Sequence, residues 1–204
     1  MNLKDWKIIF FSATALLAFF IYSPLLVDVL PPQKQETFFS LAILGSQGKT
    51  DDYYTNNEPE ISLDTPVKWN IYIYNHMDKA QQIKVKIKIL TLTDSQPNST
   101  SFTPSSSPSI YEIRRIMSKN ETLIIPFEWE ISDIIQNGDY FDISQLHIND
   151  FTTSASYYGN KEDTLKMIFE LWVYSDNTKT FEFGWSDLGE IRCVWNQIQF
   201  KIIE

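Results

Sequence analysis

The chain has 204 residues, 43% hydrophobic and 15% aromatic, with a formal net charge of −9. That length holds one sizeable domain plus a membrane segment rather than two large domains, and the apolar content suffices for a packed core. The acidic balance, without any basic run, excludes a phosphate-neutralising nucleic-acid surface. Six glycines argue against a Gly-rich nucleotide fold, and a single cysteine, Cys193, excludes an internal disulfide and a Cys-based zinc site.

The first element lies at residues 8–27, twenty residues without a charge. As a helix this segment reaches across a hydrocarbon core of roughly 30 Å. Trp6 and Tyr22 suit interfacial positions near its ends. Lys4 and Lys7 precede it and Asp28 follows, so the positive-inside tendency puts the N-terminus in the cytoplasm and residues beyond 30 outside. No small-x-small cleavage site follows, which favours an uncleaved anchor over a signal peptide. Pro31 and Pro32 then open a short stiff tether.

From Phe38 onward the apolar period is two. Val67, Trp69, Ile71 and Ile73 alternate with polar residues and tyrosines; Ile83, Val85, Ile87 and Ile89 alternate with three lysines. The runs Leu123–Ile131 and Leu165–Val173 repeat the pattern. Each predicts a strand with one face on a core. Residues 75–78 separate two strands, and 175–178 predict a hairpin. Ile191, Cys193 and Trp195 are in phase, but Ile198, Phe200 and Ile202 have the opposite parity, which predicts a bulge near Asn196-Gln197. Two segments fit no simple strand. The Ser/Thr/Pro-rich stretch 94–109 reads as a mobile loop. Residues 132–164 read as a long connection opening on a short helical turn at 132–136. Eight or more strands with short turns predict an all-β, immunoglobulin-like β-sandwich, with Trp69 filling its core.

Sites are sparse. Gly48-Lys49-Thr50 resembles the end of a phosphate loop, but Ile43 stands where the motif needs glycine and no helix pattern follows, so a turn at Gly45 and Gly48 is expected. No Gly-x-Ser-x-Gly elbow is present, and Cys193 falls in phase with apolar neighbours, as a buried thiol does. Nothing singles out a catalytic group or a cofactor, and no enzyme is expected. His147 lies near Asp139, Asp142, Asn149 and Asp150, an oxygen-rich cluster that offers a ligand- or metal-binding alternative without matching an established loop spacing. Asn98 and Asn120 open N-glycosylation sequons. Tyr53, Tyr54, Tyr72, Tyr74, Tyr157 and Tyr158 fall on expected outer faces or loops, where tyrosine suits a contact surface.

Between Phe38 and Ile89 the chain reads FFSLAILGSQGK, then Tyr54 and Asn57-Glu58-Pro59, then PVKWNIYIYNHM. This quarter of the chain resembles the extracytoplasmic module of a family of uncharacterised archaeal membrane proteins, a domain of unknown function. The resemblance implies an immunoglobulin-like fold in a cell-surface setting and carries no catalytic residues. Members of that family usually have several membrane helices, whereas one is expected here. The expected organisation is a cytoplasmic N-terminus and anchor over 1–30, a tether over 31–37 and an extracytoplasmic domain over 38–204. The expected role is a single-pass structural or protein-interaction component of the cell envelope or of a membrane complex. It would contact lipid through 8–27 and bind a protein partner or a second copy of itself, but no nucleic acid.

Overall fold

A computed structural model describes residues 3–29, 36–54, 58–91, 93–153, 158–160, 163–187 and 189–203; the side chains of 3–5, 20, 22–29 and 158 lie outside that description. The chain divides into two compact units, Met1–Glu36 and Thr37–Glu204.

The first unit holds one helix, α1 (Leu3–Val29). Its described side chains are those of Trp6 to Phe19 and Ile21. Ile8, Ile9, Phe10, Phe11, Leu16, Leu17, Phe19 and Ile21 are all exposed. At 100° per residue these positions point in every direction around the axis, so no polar face exists to meet water. Among the described residues no helix is long and apolar enough to cross a membrane. The expected anchor at 8–27 falls within α1 and extends past its described side chains.

The second unit is built of strands. In chain order they are β1 (Phe39–Leu44), β2 (Glu60–Ser62), β3 (Val67–Asn75), β4 (Gln81–Leu90), β5 (Tyr111–Met117), β6 (Thr122–Asn137) and β7 (Tyr140–Ile148). There follow β8 (Phe151–Thr153), β9 (Tyr158–Asn160), β10 (Leu165–Ser175), β11 (Thr180–Phe183), β12 (Trp185–Asp187), β13 (Glu190–Arg192) and β14 (Trp195–Ile203). One sheet runs β1-β3-β6-β7-β8, with β9 also on β7; the other runs β2-β14-β10-β4-β5, with β11 also on β10; β12 and β13 pair separately.

The two larger sheets share one core. Trp69 and Trp129 are each 1% exposed. Ring pairs Phe127–Phe169 at 5.6 Å and Trp129–Phe200 at 5.1 Å join residues of one sheet to residues of the other. Strands adjacent in the chain pass between these two sheets five times, two of the crossings lying at 75–81 and at 117–122. The buried Asn75 ties these two crossings together. Its Nδ2 donates to the carbonyls of Met117 (3.2 Å) and Ser118 (2.9 Å), and its Oδ1 accepts from the Met77 amide (2.9 Å). A buried amide with its hydrogen bonds satisfied in this way fixes geometry that apolar packing leaves loose.

Three expectations need correction. Residues 132–148 are not a long connection with a helical turn: β6 continues to Asn137, turns at Gly138 (φ 67°) and returns as β7. The register slips between Ile131, Asp133 and Ile134. This bulge turns a spacing of two into one of three, which in sequence imitates a helical turn. The expected bulge at Asn196-Gln197 is absent; β14 pairs β10 without a slip from Trp195 to Phe200. The change of parity arises because Ile191 belongs to β13, a different strand. Third, segment 94–109 is pinned down. It lies over the outer face of the β4/β10 sheet, where Ser105 and Ser107 are buried.

Candidate interaction surface

The six tyrosines do not form one surface. Tyr53 and Tyr54 follow the tight turn at Gly45–Lys49, where the Gly45 amide donates to the Lys49 carbonyl at 2.7 Å. Both are half-buried and meet Trp69 edge-on, with ring centroids 6.4 and 6.0 Å away. The Tyr53 hydroxyl donates to the Ile43 carbonyl at 2.9 Å, and that of Tyr54 to the Gln199 carbonyl. Burial pushes both phenols above their ordinary pKa, assisted by Asp52 and Asp51 at Tyr53 and by Tyr53 at Tyr54. These side chains close one end of the core and line a cleft of about 840 Å³ with Asp51, Asp52 and Glu60.

Tyr72 and Tyr74 do lie on the outer face of the first sheet. Tyr72 is flanked in register by Ala42 and by Ile124, which is 57% exposed. The Tyr74 hydroxyl is 3.2 Å from His76 Nδ1, and Phe38 stacks on that imidazole at 4.6 Å. Tyr157 lies outside the described residues. Tyr158 contributes its backbone to β9, opposite Asp142.

His147 lies on β7 with its Nδ1 2.7 Å from the Thr152 hydroxyl. Among the described residues no three His, Cys, Asp or Glu side chains converge as a metal site would require. Asn98 and Asn120 are both exposed. Asn98 Oδ1 accepts from the amides of Thr100 and Ser101, while Asn120 takes the left-handed turn (φ 58°) between β5 and β6. Cys193 is half-buried rather than enclosed; burial raises its pKa, partly offset by a hydrogen bond with Ser99.

The feature that periodicity did not flag is the outer face of the second sheet. Lys84, Lys86 and Lys88 of β4 stand beside Trp172 and Glu170 of β10 in register. Lys86 Nζ lies 3.6 Å over the Trp172 ring and Lys84 Nζ 4.8 Å over Phe181. Arg114 and Lys84 each reach the same carboxylate, Glu112, at 3.3 Å. Lys88 is 3.0 Å from Glu170, and both are buried under Ser105. Burial lowers the Lys86 pKa, as do the flanking Lys84 and Lys88, against an opposing pull from Glu112. The only signal in sequence is that Trp172 and Tyr174 share a parity, and their contact with the lysines of β4 is non-local.

No family model matches the chain, and no curated protein does. Solved structures with partial likeness include a β-glucosidase from Listeria innocua in complex with gluconolactone, at 8% identity and TM-score 0.36. The match covers 83% of this chain and 16% of that one. Another is a β-glucosidase from Erythrobacter marinus, at 11% identity and TM-score 0.37, covering 82% of this chain and 16% of the other. A third is the Pseudomonas fluorescens alkylpurine DNA glycosylase AlkC, at 14% identity and TM-score 0.33, covering 82% and 30%. The chain thus spans less than a third of each of these proteins, and likeness so slight transfers neither fold nor chemistry.

His76 Nδ1 and His147 Nδ1 each lie at hydrogen-bond distance from a neighbouring hydroxyl.

Proposed function

We propose that this is a membrane-anchored interaction component of the cell envelope: one N-terminal helix spans the bilayer, and an immunoglobulin-like β-sandwich outside it makes contact with a protein partner. The observation that carries the reading is α1, whose large exposed apolar side chains point in every direction. Such a helix has no favourable aqueous state and calls for lipid or an equally apolar cover. Two sheets about one core, with aromatic pairs between them, support the sandwich. The lysines ahead of the helix support an inside N-terminus. The exposed Ile124 beside the half-buried Tyr72 on one sheet, and the exposed Ile116 on the other, suit contact with a protein.

The test is fractionation of the full chain after expression. Retention in the membrane pellet through alkaline carbonate, with 38–204 open to protease only from outside, is expected. Replacing Ala13 and Leu16 with arginine should release it. A wild-type chain that washes off in carbonate removes the anchor from the proposal. In-cell cross-linking that yields only monomer removes the interaction role.

A further inference from the structure

We propose that the open edge of β5 is a docking strand for an extended polypeptide that alternates acidic and apolar side chains; this deepens the interaction role and is independent of the membrane anchor. Among the described residues β5 is the terminal strand of its sheet and pairs only with β4. An unpaired edge presents a row of amides and carbonyls ready to accept another strand. Along it runs a cleft of about 650 Å³ between the two sheets, with the buried Ile113 and Ile125 at its bottom.

The two faces of β5 ask for different side chains. Toward the cleft, an added strand would lay every second residue on Ile113 and Ile125, which favours apolar groups there. Its other residues would join the outer face, beside Glu112, Arg114 and Ile116, the last 72% exposed. That part of the face holds the buried Lys84 and the more open Lys86 and Arg114 against the carboxylate of Glu112. Lys86 makes no ion pair among the described residues, and its contact is the Trp172 ring. A cationic excess on a chain of net charge −9 selects acidic residues at the outward positions. Charge also disfavours a second copy as occupant. Antiparallel self-pairing centred on Arg114 would set Arg114 against Arg114, with Arg115 beside it, and like charges facing each other across strands are destabilising.

The test uses the full chain in detergent micelles and two nine-residue peptides, one alternating glutamate and valine, the other lysine and valine. The glutamate peptide is expected to bind at least tenfold more tightly than the lysine peptide. It should slow amide hydrogen exchange across 111–117 and lose at least tenfold affinity in Arg114→Glu. Lys86→Gln, whose side chain lies away from the edge backbone, should weaken binding by a smaller factor without removing the exchange protection. Equal binding of both peptides, or binding without protection at 111–117, overturns the proposal. So does a concentration-dependent dimer that protects 111–117. A chain that cross-links to a partner in cells while the β5 amides stay unprotected removes the docking strand and leaves the interaction role standing.

Discussion

Lys88 Nζ lies 3.0 Å from Glu170 Oε2 and also donates to the Ser105 carbonyl at 2.8 Å, so one ammonium joins a strand, its neighbour and the segment that covers them. Glu170 completes the junction, accepting from the Ser105 amide at 2.7 Å and from Trp172 Nε1 at 3.0 Å. Removing one partner from a buried pair leaves the other charge uncompensated, at about 3–5 kcal/mol. Lys88→Met should therefore lower the unfolding free energy by about that amount in a denaturant titration. Lys88→Met with Glu170→Leu should recover part of the loss, short of wild type, because Ser105 and Trp172 then lack their acceptor.

Asn75 makes a second junction, between the sheet crossings at 75–81 and 117–122. Asn75→Ala exposes no surface but strips hydrogen bonds from the Met117 and Ser118 carbonyls and the Met77 amide. A buried group left bare costs about 1–3 kcal/mol. The expected result is a loss within or above that range, with Asn75→Asp recovering only the Met77 contact.

Two glycines separate close approach from backbone freedom. At Gly45 a Cβ would come within 2.1 Å of the Asp52 carbonyl oxygen. Gly45→Ala must displace the loop that carries Tyr53 and Tyr54, and should both destabilise the fold and raise the solvent exposure of Trp69, seen as a red shift in fluorescence. Gly138 (φ 67°) has open space around it. Gly138→Ala meets only the left-handed backbone penalty, about 1–2 kcal/mol, and should leave the spectrum unchanged.

Glu112 gives the outer face of the second sheet its pH dependence. Burial acts to raise its pKa, but hydrogen bonds from Lys84 and Arg114 outweigh this and hold it below the ordinary 4.5. A depressed carboxylate adds stability above its unfolded pKa and loses it as pH falls through the folded one. The stability gap between wild type and Glu112→Gln should hold steady from pH 7 to about 5, then shrink with further acidification. A gap that widens in acid would mean that burial, not the two cations, governs this group.

The strand content was legible because alternation is a local signal. β3, β4, β6 and β10 each declare a core face through residues two apart, and Trp69 belongs to the row of β3. The hairpin joining β10 to β11 was equally local, held by Ser175 opposite Thr180. What remained hidden depends on partners far away in the chain. Lys88 meets Glu170 across 82 positions, so nothing in the serine- and proline-rich stretch 94–109 disclosed what fastens it. Tyr53 and Tyr54 read as surface residues because the indole that covers them belongs to a later strand. The slip at Asp133 disguised a strand as a turn of helix. The lysines of β4 read as a solvated face, and only pairing with β10 brings aromatic rings beneath them.

Strand β14 comes fourteenth along the chain yet lies between β2 and β10, pairing Lys201 with Glu60 and Leu165 with Phe200. During synthesis, β2 therefore waits without a neighbour until the ribosome has passed residue 203. Non-local pairing of this kind makes for slow closure and for prolonged display of unpaired strands. β2 must stay unpaired, or be shielded by a chaperone, from its own synthesis until β14 is made, and stalling even a few codons short of β14 would leave a half-built sheet exposed to aggregation.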